Sequence, residues 1–116
     1  RAARPVAVSD TCGRLDLSQL CALLQTARGM AASGTGPLHL AAALGTPTLG
    51  LYPPRKGVAV GRWAALGAAA VSVQLEGRCM RAECQNEACR CMTALEPWRV
   101  ALALQPAPER LLDIQD

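Results

Sequence analysis

The sequence predicts an α/β domain with a mostly parallel sheet, because short apolar strand candidates alternate with helix candidates along its 116 residues. Half of the chain (51%) is hydrophobic, yet it has no Phe, two Trp and one Tyr, so Ala, Leu and Val form most of the apolar mass. Small aliphatic side chains suit helices that pack closely on a parallel sheet. A glycine turn between a strand and a helix, at residues 34–36, is the third indication. The length fits one domain or part of one.

The amino-terminal part is predicted to hold the end of a strand and a capped helix. Residues 6–8 are a short apolar segment typical of a strand end, and Gly13 indicates a turn. Asp16 suits the N-cap of a helix, since Gln19 three residues on completes a capping box. We expect this helix to end near Arg28 and Gly29, because glycine is favoured after a helix. The apolar face of the helix has helical spacing and consists of Leu17, Leu20, Cys21 and Leu24.

The centre of the chain is predicted to be a strand, a turn, a helix and a second strand. A brief buried strand is expected at residues 30–32. Pro37 suits the first position of the helix, where a backbone N–H would be unpaired anyway, and Gly45 is expected to end it. Residues 48–52 are the clearest strand of the chain. The buried stripe of the helix is expected to be Leu38, Ala41 and Ala42.

The carboxyl-terminal half is predicted to hold a long loop, a strand, a cysteine-rich loop and a last helix. The loop covers residues 55–67, the strand 69–75 and the cysteine-rich loop 79–91. Pro97 opens the last helix, and residues 109–114 are expected to form a short terminal helix. The side of the last helix that we expect to be apolar carries Trp98, Ala101 and Leu102.

Charge and hydropathy exclude several classes of function. The formal net charge is only +3, the Arg residues are scattered, and aromatic residues are too few for base stacking, so we expect no nucleic-acid binding. No apolar run is long enough to cross a bilayer. The basic start is not followed by the long apolar segment of a signal peptide. The abrupt start on an apolar segment leads us to expect a piece of a longer chain.

The glycine turn carries the residues best suited to binding an anion. Gly34 and Gly36 allow the backbone to approach a ligand closely, and Thr35 adds a hydroxyl. The first N–H groups of the helix that follows are unpaired, and His39, the only histidine, can donate to an oxyanion there. Parallel α/β sheets bind ligands beyond the carboxyl ends of their strands. The turn therefore predicts a phosphate or diphosphate site, and the alternative is an ordinary turn with a surface histidine.

The sequence around this turn resembles a known family. The segment Ser33–Pro47 (SGTGPLHLAAALGTP) is followed by Thr48–Pro54 (TLGLYPP). Together they resemble the C-terminal domain of the bacterial heptosyltransferases, the ADP-heptose:lipopolysaccharide glycosyltransferases. Flanking segments at residues 13–20 and 61–63, with the carboxyl-terminal tail, extend the resemblance over residues 10–105.

The resemblance implies a Rossmann-like three-layer domain that is the C-terminal half of a GT-B fold. Residues 1–116 would be the nucleotide-sugar donor-binding domain of a longer two-domain enzyme. By position, Thr35, Gly36 and His39 match family residues that contact the diphosphate and sugar of the donor. Gly34 departs from the family, in which most members have an Asp that contacts sugar hydroxyls. Because the catalytic base of the family lies in the N-terminal half, the resemblance implies no catalytic residue in this chain and an inactive isolated fragment.

The implied reaction is inverting transfer of a sugar, heptose in the family, from ADP-heptose or another nucleoside diphosphate sugar to a lipopolysaccharide-core-type acceptor. No metal or other cofactor is required, because helix N–H groups, the histidine and nearby cations would stabilise the leaving group. Arg55, Lys56 and Arg62 are candidates for a cationic rim, and the alternative is solvated loop charges. The implied partners are an N-terminal acceptor domain and a lipopolysaccharide precursor, in the cytoplasm at the inner membrane. A nucleotide-sugar epimerase of related architecture is the alternative enzyme.

The cysteine-rich loop supports a hypothesis of another class. Its thiols match no common zinc pattern such as paired Cys-x2-Cys, so we expect reduced thiols and no metal. A metal site and disulfides are the alternatives, and either would make the loop the centre of a metal-binding or interaction module. Cys21 is expected to be a core residue. The clustered thiols are Cys79, Cys84, Cys89 and Cys91.

Overall fold

The computed structural model of the chain describes residues 6–55, 60–75 and 90–104. Helices and strands alternate along these residues, as the sequence predicts. In chain order they are α1 (Leu17–Thr26), β1 (Met30–Ser33), α2 (Gly36–Ala43), β2 (Thr48–Tyr52), α3 (Val60–Trp63), β3 (Ala70–Gln74), α4 (Arg90–Thr93) and α5 (Pro97–Ala103).

The three strands form one parallel sheet in the order β1-β2-β3. Met30 pairs with Thr48, and Thr48 pairs with Ala70, so the strands begin level with one another. All of them therefore end at the same edge of the sheet, where β1 stops at Ser33 and β2 at Tyr52. We call this the carboxyl edge, and the opposite one the amino edge.

Helices lie on both faces of the sheet, which confirms the predicted α/β fold. α2 packs on β1 and β2, and its Leu38 lies against Gly50 of β2. Side chains alternate along a strand, so Leu49 and Leu51 point to the other face. There they line a groove together with Val100 of α5. The result is a layered arrangement of the Rossmann-like type.

The core lies between α2 and the sheet. Leu38 and Ala41 are fully buried and Ala42 almost so, which confirms the predicted stripe. Burying a leucine of this kind contributes roughly 1.5–3 kcal/mol. Tyr52 is the largest fully buried side chain of the described residues. Gly45 has a φ of +82° and ends the helix as predicted, because this left-handed conformation is accessible to glycine.

α1 begins as predicted and ends earlier. The Asp16 carboxylate accepts from the Gln19 N–H at 2.8 Å, and the Gln19 side-chain oxygen accepts from the Asp16 N–H at 3.0 Å, so the capping box is confirmed. The helix ends at Thr26 because the backbone of Ala27 is already extended, with ψ 143°. The prediction that Gly29 ends the helix is therefore wrong, and this glycine directly precedes β1.

The structure differs from the prediction at residues 6–8 and in the loop predicted at residues 55–67. Residues 6–8 form no strand, and Val6 and Val8 are exposed, since a short apolar segment becomes a strand only when a neighbour pairs with it. Gly13 has a φ of +66°, which confirms the predicted turn. In the loop predicted at residues 55–67, the described part contains α3, a single helical turn too short to show a period in the sequence.

α5 begins at Pro97 as predicted, but its predicted apolar side faces away from the sheet and is exposed. Trp98 and Leu102 are 58% and 52% exposed, whereas Val100 and Ala103 line the groove under the sheet. The indole N–H of Trp98 donates to the Glu96 carboxylate at 2.8 Å, which holds the ring at the surface. None of the described helices is long and apolar enough to cross a membrane. The predicted terminal helix at residues 109–114 lies outside the described residues.

Candidate functional site

The glycine turn lies at the carboxyl edge, where sequence reasoning expects a ligand. β1 ends at Ser33 and α2 begins at Gly36, so two residues connect the strand to the helix. Thr35 is the N-cap in an extended conformation, and its side chain makes no capping hydrogen bond. Pro37 lies in the first turn and has no N–H to donate. The first N–H groups of α2 are thus left uncapped by Thr35, in the position where helices bind anions.

Gly36 is not required by the packing of the described residues. A Cβ built on it would meet none of their atoms within 4 Å, and its φ is not left-handed. A glycine with open space around it, at an exposed helix start, leaves its backbone N–H accessible to a bulky ligand such as a diphosphate. This is the observation that fits the predicted anion site best.

Gly34 is a glycine for a different reason. A Cβ on this residue would lie 2.9 Å from Cε1 of Tyr52, closer than real Cβ contacts. The tyrosine is 1% exposed, so its ring cannot swing away into solvent. The position at which the resemblance leads us to expect an aspartate is therefore in direct contact with a buried aromatic ring.

His39 lies one turn into α2 and is half-buried. Its backbone N–H bonds to the Thr35 carbonyl at 3.4 Å, so the residue belongs to the helix proper. The preceding residue, Leu38, is fully buried, so His39 lies at the boundary between the core and the surface. A half-buried imidazole near a helix start can donate an N–H to an oxyanion. The role predicted for it stays a prediction.

Two of the three candidate rim cations lie in described residues. Arg55 is exposed just beyond β2, and its backbone N–H donates to the Pro53 carbonyl at 2.8 Å. Arg62 is exposed in α3, with its guanidinium 5.5 Å from the ring centroid of Trp63. Lys56 lies outside the described residues. Both described arginines follow the carboxyl end of β2, as predicted, and their contact with a ligand stays a prediction.

Sequence reasoning missed the part that Tyr52 plays at this edge. Its hydroxyl donates to the Trp63 carbonyl at 2.5 Å and so joins the end of β2 to α3. The signal was faint, because Gly34 and Tyr52 are far apart in sequence. They become neighbours only because Ser33 pairs with Leu51 in the parallel register.

The structure describes three cysteines at separate places in the fold. Cys12 is exposed, and Cys21 and Cys91 are half-buried, so Cys21 lies partly in the core. Among residues 6–55, 60–75 and 90–104, no group of three or more His, Cys, Asp or Glu side chains could hold a metal ion. The other members of the predicted cluster lie outside these residues, namely Cys79, Cys84 and Cys89.

The backbone N–H of Cys12 donates to the Asp10 carboxylate at 2.9 Å, and this hydrogen bond lowers the pKa of that exposed carboxyl.

The fold and the turn together define a Rossmann-like α/β domain with an uncapped helix start at its carboxyl edge. Residues 2–90 match the model of glycosyltransferase family 9 (heptosyltransferase), and the chain belongs to this family of glycosyltransferases. The match contains the glycine turn and all three strands, and it ends before α5. It confirms the resemblance and supports glycosyl transfer over the epimerase and cysteine-centred alternatives. Searches of the curated proteins and of the solved structures returned no match.

Proposed function

We propose that this chain binds the nucleoside diphosphate sugar donor of an inverting glycosyltransferase that acts on a lipopolysaccharide-core-type acceptor. The family supports sugar transfer, and its description names heptose as the sugar. The sequence resemblance adds ADP as the proposed carrier of that sugar. The observation that carries the proposal is Gly36, whose open surroundings leave the helix start accessible at the carboxyl edge.

In this proposal the chain stabilises the leaving group. The hydroxyl oxygen of the acceptor forms a bond to the anomeric carbon while the bond from that carbon to the diphosphate oxygen breaks. The electron pair stays on the diphosphate, and the hydroxyl proton passes to a base outside this chain. The N–H group of Gly36, with the His39 imidazole, would donate to the phosphate oxygens as their charge increases. Arg55, Lys56 and Arg62 would supply positive charge at the rim.

The proposed partners follow from the same chemistry. A full-length enzyme would carry an N-terminal acceptor half facing the carboxyl edge, and this half would provide the base. The acceptor would be a lipopolysaccharide precursor presented in the cytoplasm at the inner membrane. No metal is needed in this scheme, because the helix start and the cations balance the charge of the diphosphate.

The proposal is tested by adding one methyl group at the helix start. Gly36→Ala should weaken ADP binding to the full-length enzyme at least about tenfold, because the Cβ would occupy the space next to the phosphates, and tenfold is about 1.4 kcal/mol. The free energy of unfolding should stay the same or rise by about 0.4–1 kcal/mol, since the native backbone accepts alanine there. Calorimetric titration with ADP, UDP and GDP and a thermal melt measure both.

Gly29→Ala is the matched control. This glycine precedes β1 at the amino edge, and a Cβ on it would have only ordinary contacts, 3.4 Å to Leu104 and 3.5 Å to Pro47. Its affinity for the nucleotides should equal that of the wild type. Equal affinity of Gly36→Ala and the wild type for the bound nucleotide would reject the proposed position of the diphosphate.

A further inference from the structure

The ring of Tyr52 lies between two glycines. A Cβ on Gly34 would be 2.9 Å from Cε1 on one edge of the ring, and a Cβ on Gly50 would be 2.7 Å from Cε2 on the other. The ring is 1% exposed and belongs to the core cluster with Leu38. Both glycines are therefore needed for the ring to take this position, and the ring forms the buried support of the glycine turn.

The hydroxyl of the same residue holds α3. It donates to the carbonyl of Trp63, the last residue of that helix, at 2.5 Å. Carbonyl groups at the end of a helix have no partner within the helix, so a side-chain donor satisfies one of them here. A buried hydroxyl without a hydrogen-bond partner would be costly, and the Trp63 carbonyl provides that partner for Tyr52. The residue before the anchored carbonyl is Arg62.

We propose that Tyr52 is a positioning residue of the donor site. Its ring fills the space that a side chain at position 34 would need, and it thereby fixes the backbone of the turn at Gly34. Its hydroxyl holds α3 so that Arg62 lies at the rim of the diphosphate. The inference rests on the proposed function for the part that concerns the donor, whereas the packing of ring against turn stands without it.

The packing is tested by a double-mutant cycle on stability. Gly34→Ala should lower the melting temperature, because the new Cβ collides with the ring. Tyr52→Leu should also lower it, but the double variant should lose clearly less than the sum, since leucine leaves room for the methyl group. Gly36→Ala combined with Tyr52→Leu is the control and should be additive, because a Cβ at Gly36 meets no described atom within 4 Å, the Tyr52 ring included. Additive losses for the Gly34 pair would overturn the packing.

The role toward the donor is tested with a variant that keeps the ring. Tyr52→Phe should weaken ADP binding to the full-length enzyme roughly fivefold, as expected for one lost hydrogen bond. In an Arg62→Ala background the same change should have no further effect, because the hydroxyl acts through that arginine. Equal weakening in both backgrounds, or none in the wild type, would overturn this role.

A matched control separates positioning from mere stability. Thr46 donates its buried hydroxyl to the Leu24 carbonyl at 2.7 Å, just before β2 at the amino edge. Thr46→Val should lower the melting temperature without changing ADP affinity. Equal loss of affinity in Thr46→Val and Tyr52→Phe would mean that both act only through stability, which rejects the positioning role. If the wild type binds none of ADP, UDP and GDP, the proposed function and the role of Arg62 fail together, and the stability cycle alone decides the packing.

Discussion

Glycine has two different physical causes at the carboxyl edge. At Gly34 and Gly50 the ring of Tyr52 leaves no room for a Cβ, so these glycines are fixed by the packing of the chain itself. At Gly36 nothing in the described residues opposes a side chain, so we propose that a bound ligand, and not packing, requires the glycine. This difference supports the proposal that the phosphate contacts lie at the helix start. It also shows that the ring of Tyr52 leaves no room for a side chain at Gly34, where the resemblance leads us to expect a carboxylate.

His39 gives a prediction at the scale of one side chain. His39→Ala should weaken ADP binding to the full-length enzyme by about 1–3 kcal/mol, because the imidazole N–H would no longer donate to a charged phosphate oxygen. The side chain is half-buried, so His39→Gln, which keeps an N–H donor of similar reach, should recover part of the affinity. Titration calorimetry measures both variants. Wild-type affinity in His39→Ala would remove the residue from the site.

At the scale of helices and strands, local chemistry was readable and long-range packing was not. The capping box at Asp16 and the left-handed turn at Gly45 involve residues a few positions apart, and both were predicted from sequence. On α5, Trp98 belongs to the side predicted to be apolar, and it is exposed. Apolar residues lie on more than one side of that helix, and only the position of the sheet decides which side is buried. α3 is a single turn held by Tyr52 from another element, so its own sequence has no periodic signal.

The start of α1 provides a prediction for a single element. Asp16→Ala should lower the free energy of unfolding by about 1 kcal/mol, because it removes the acceptor for the Gln19 N–H. Gln25→Ala, on an exposed position of the same helix, should change it by less than about 0.5 kcal/mol. Urea denaturation followed by circular dichroism measures the difference. Similar values for the two variants would show that the capping box contributes nothing to stability.

In the whole molecule, the parallel sheet brings separate parts of the chain to one edge. The turn after β1 and the arginines after β2 are distant in sequence, yet all of them follow the carboxyl ends of neighbouring strands. The sequence was sufficient to predict this, because parallel strands joined by helices must end on the same side. It was insufficient to predict the contact of Gly34 with Tyr52, because that contact depends on the register of two strands. Topology was thus predictable, and the fine shape of the site was not.

A site confined to one edge predicts a one-sided footprint of the ligand. Hydrogen exchange of the full-length enzyme with saturating ADP should be slowed at the start of α2, where the Gly36 amide would donate to phosphate. It should also be slowed in α3 if the Tyr52 hydroxyl couples that helix to the turn. The amino edge, represented by the amides of Met30 and Thr48, should exchange at the same rate with and without ADP, because these bond to the Pro47 and Ala69 carbonyls on the far side of the sheet. Equal protection at both edges would place the nucleotide elsewhere on the domain.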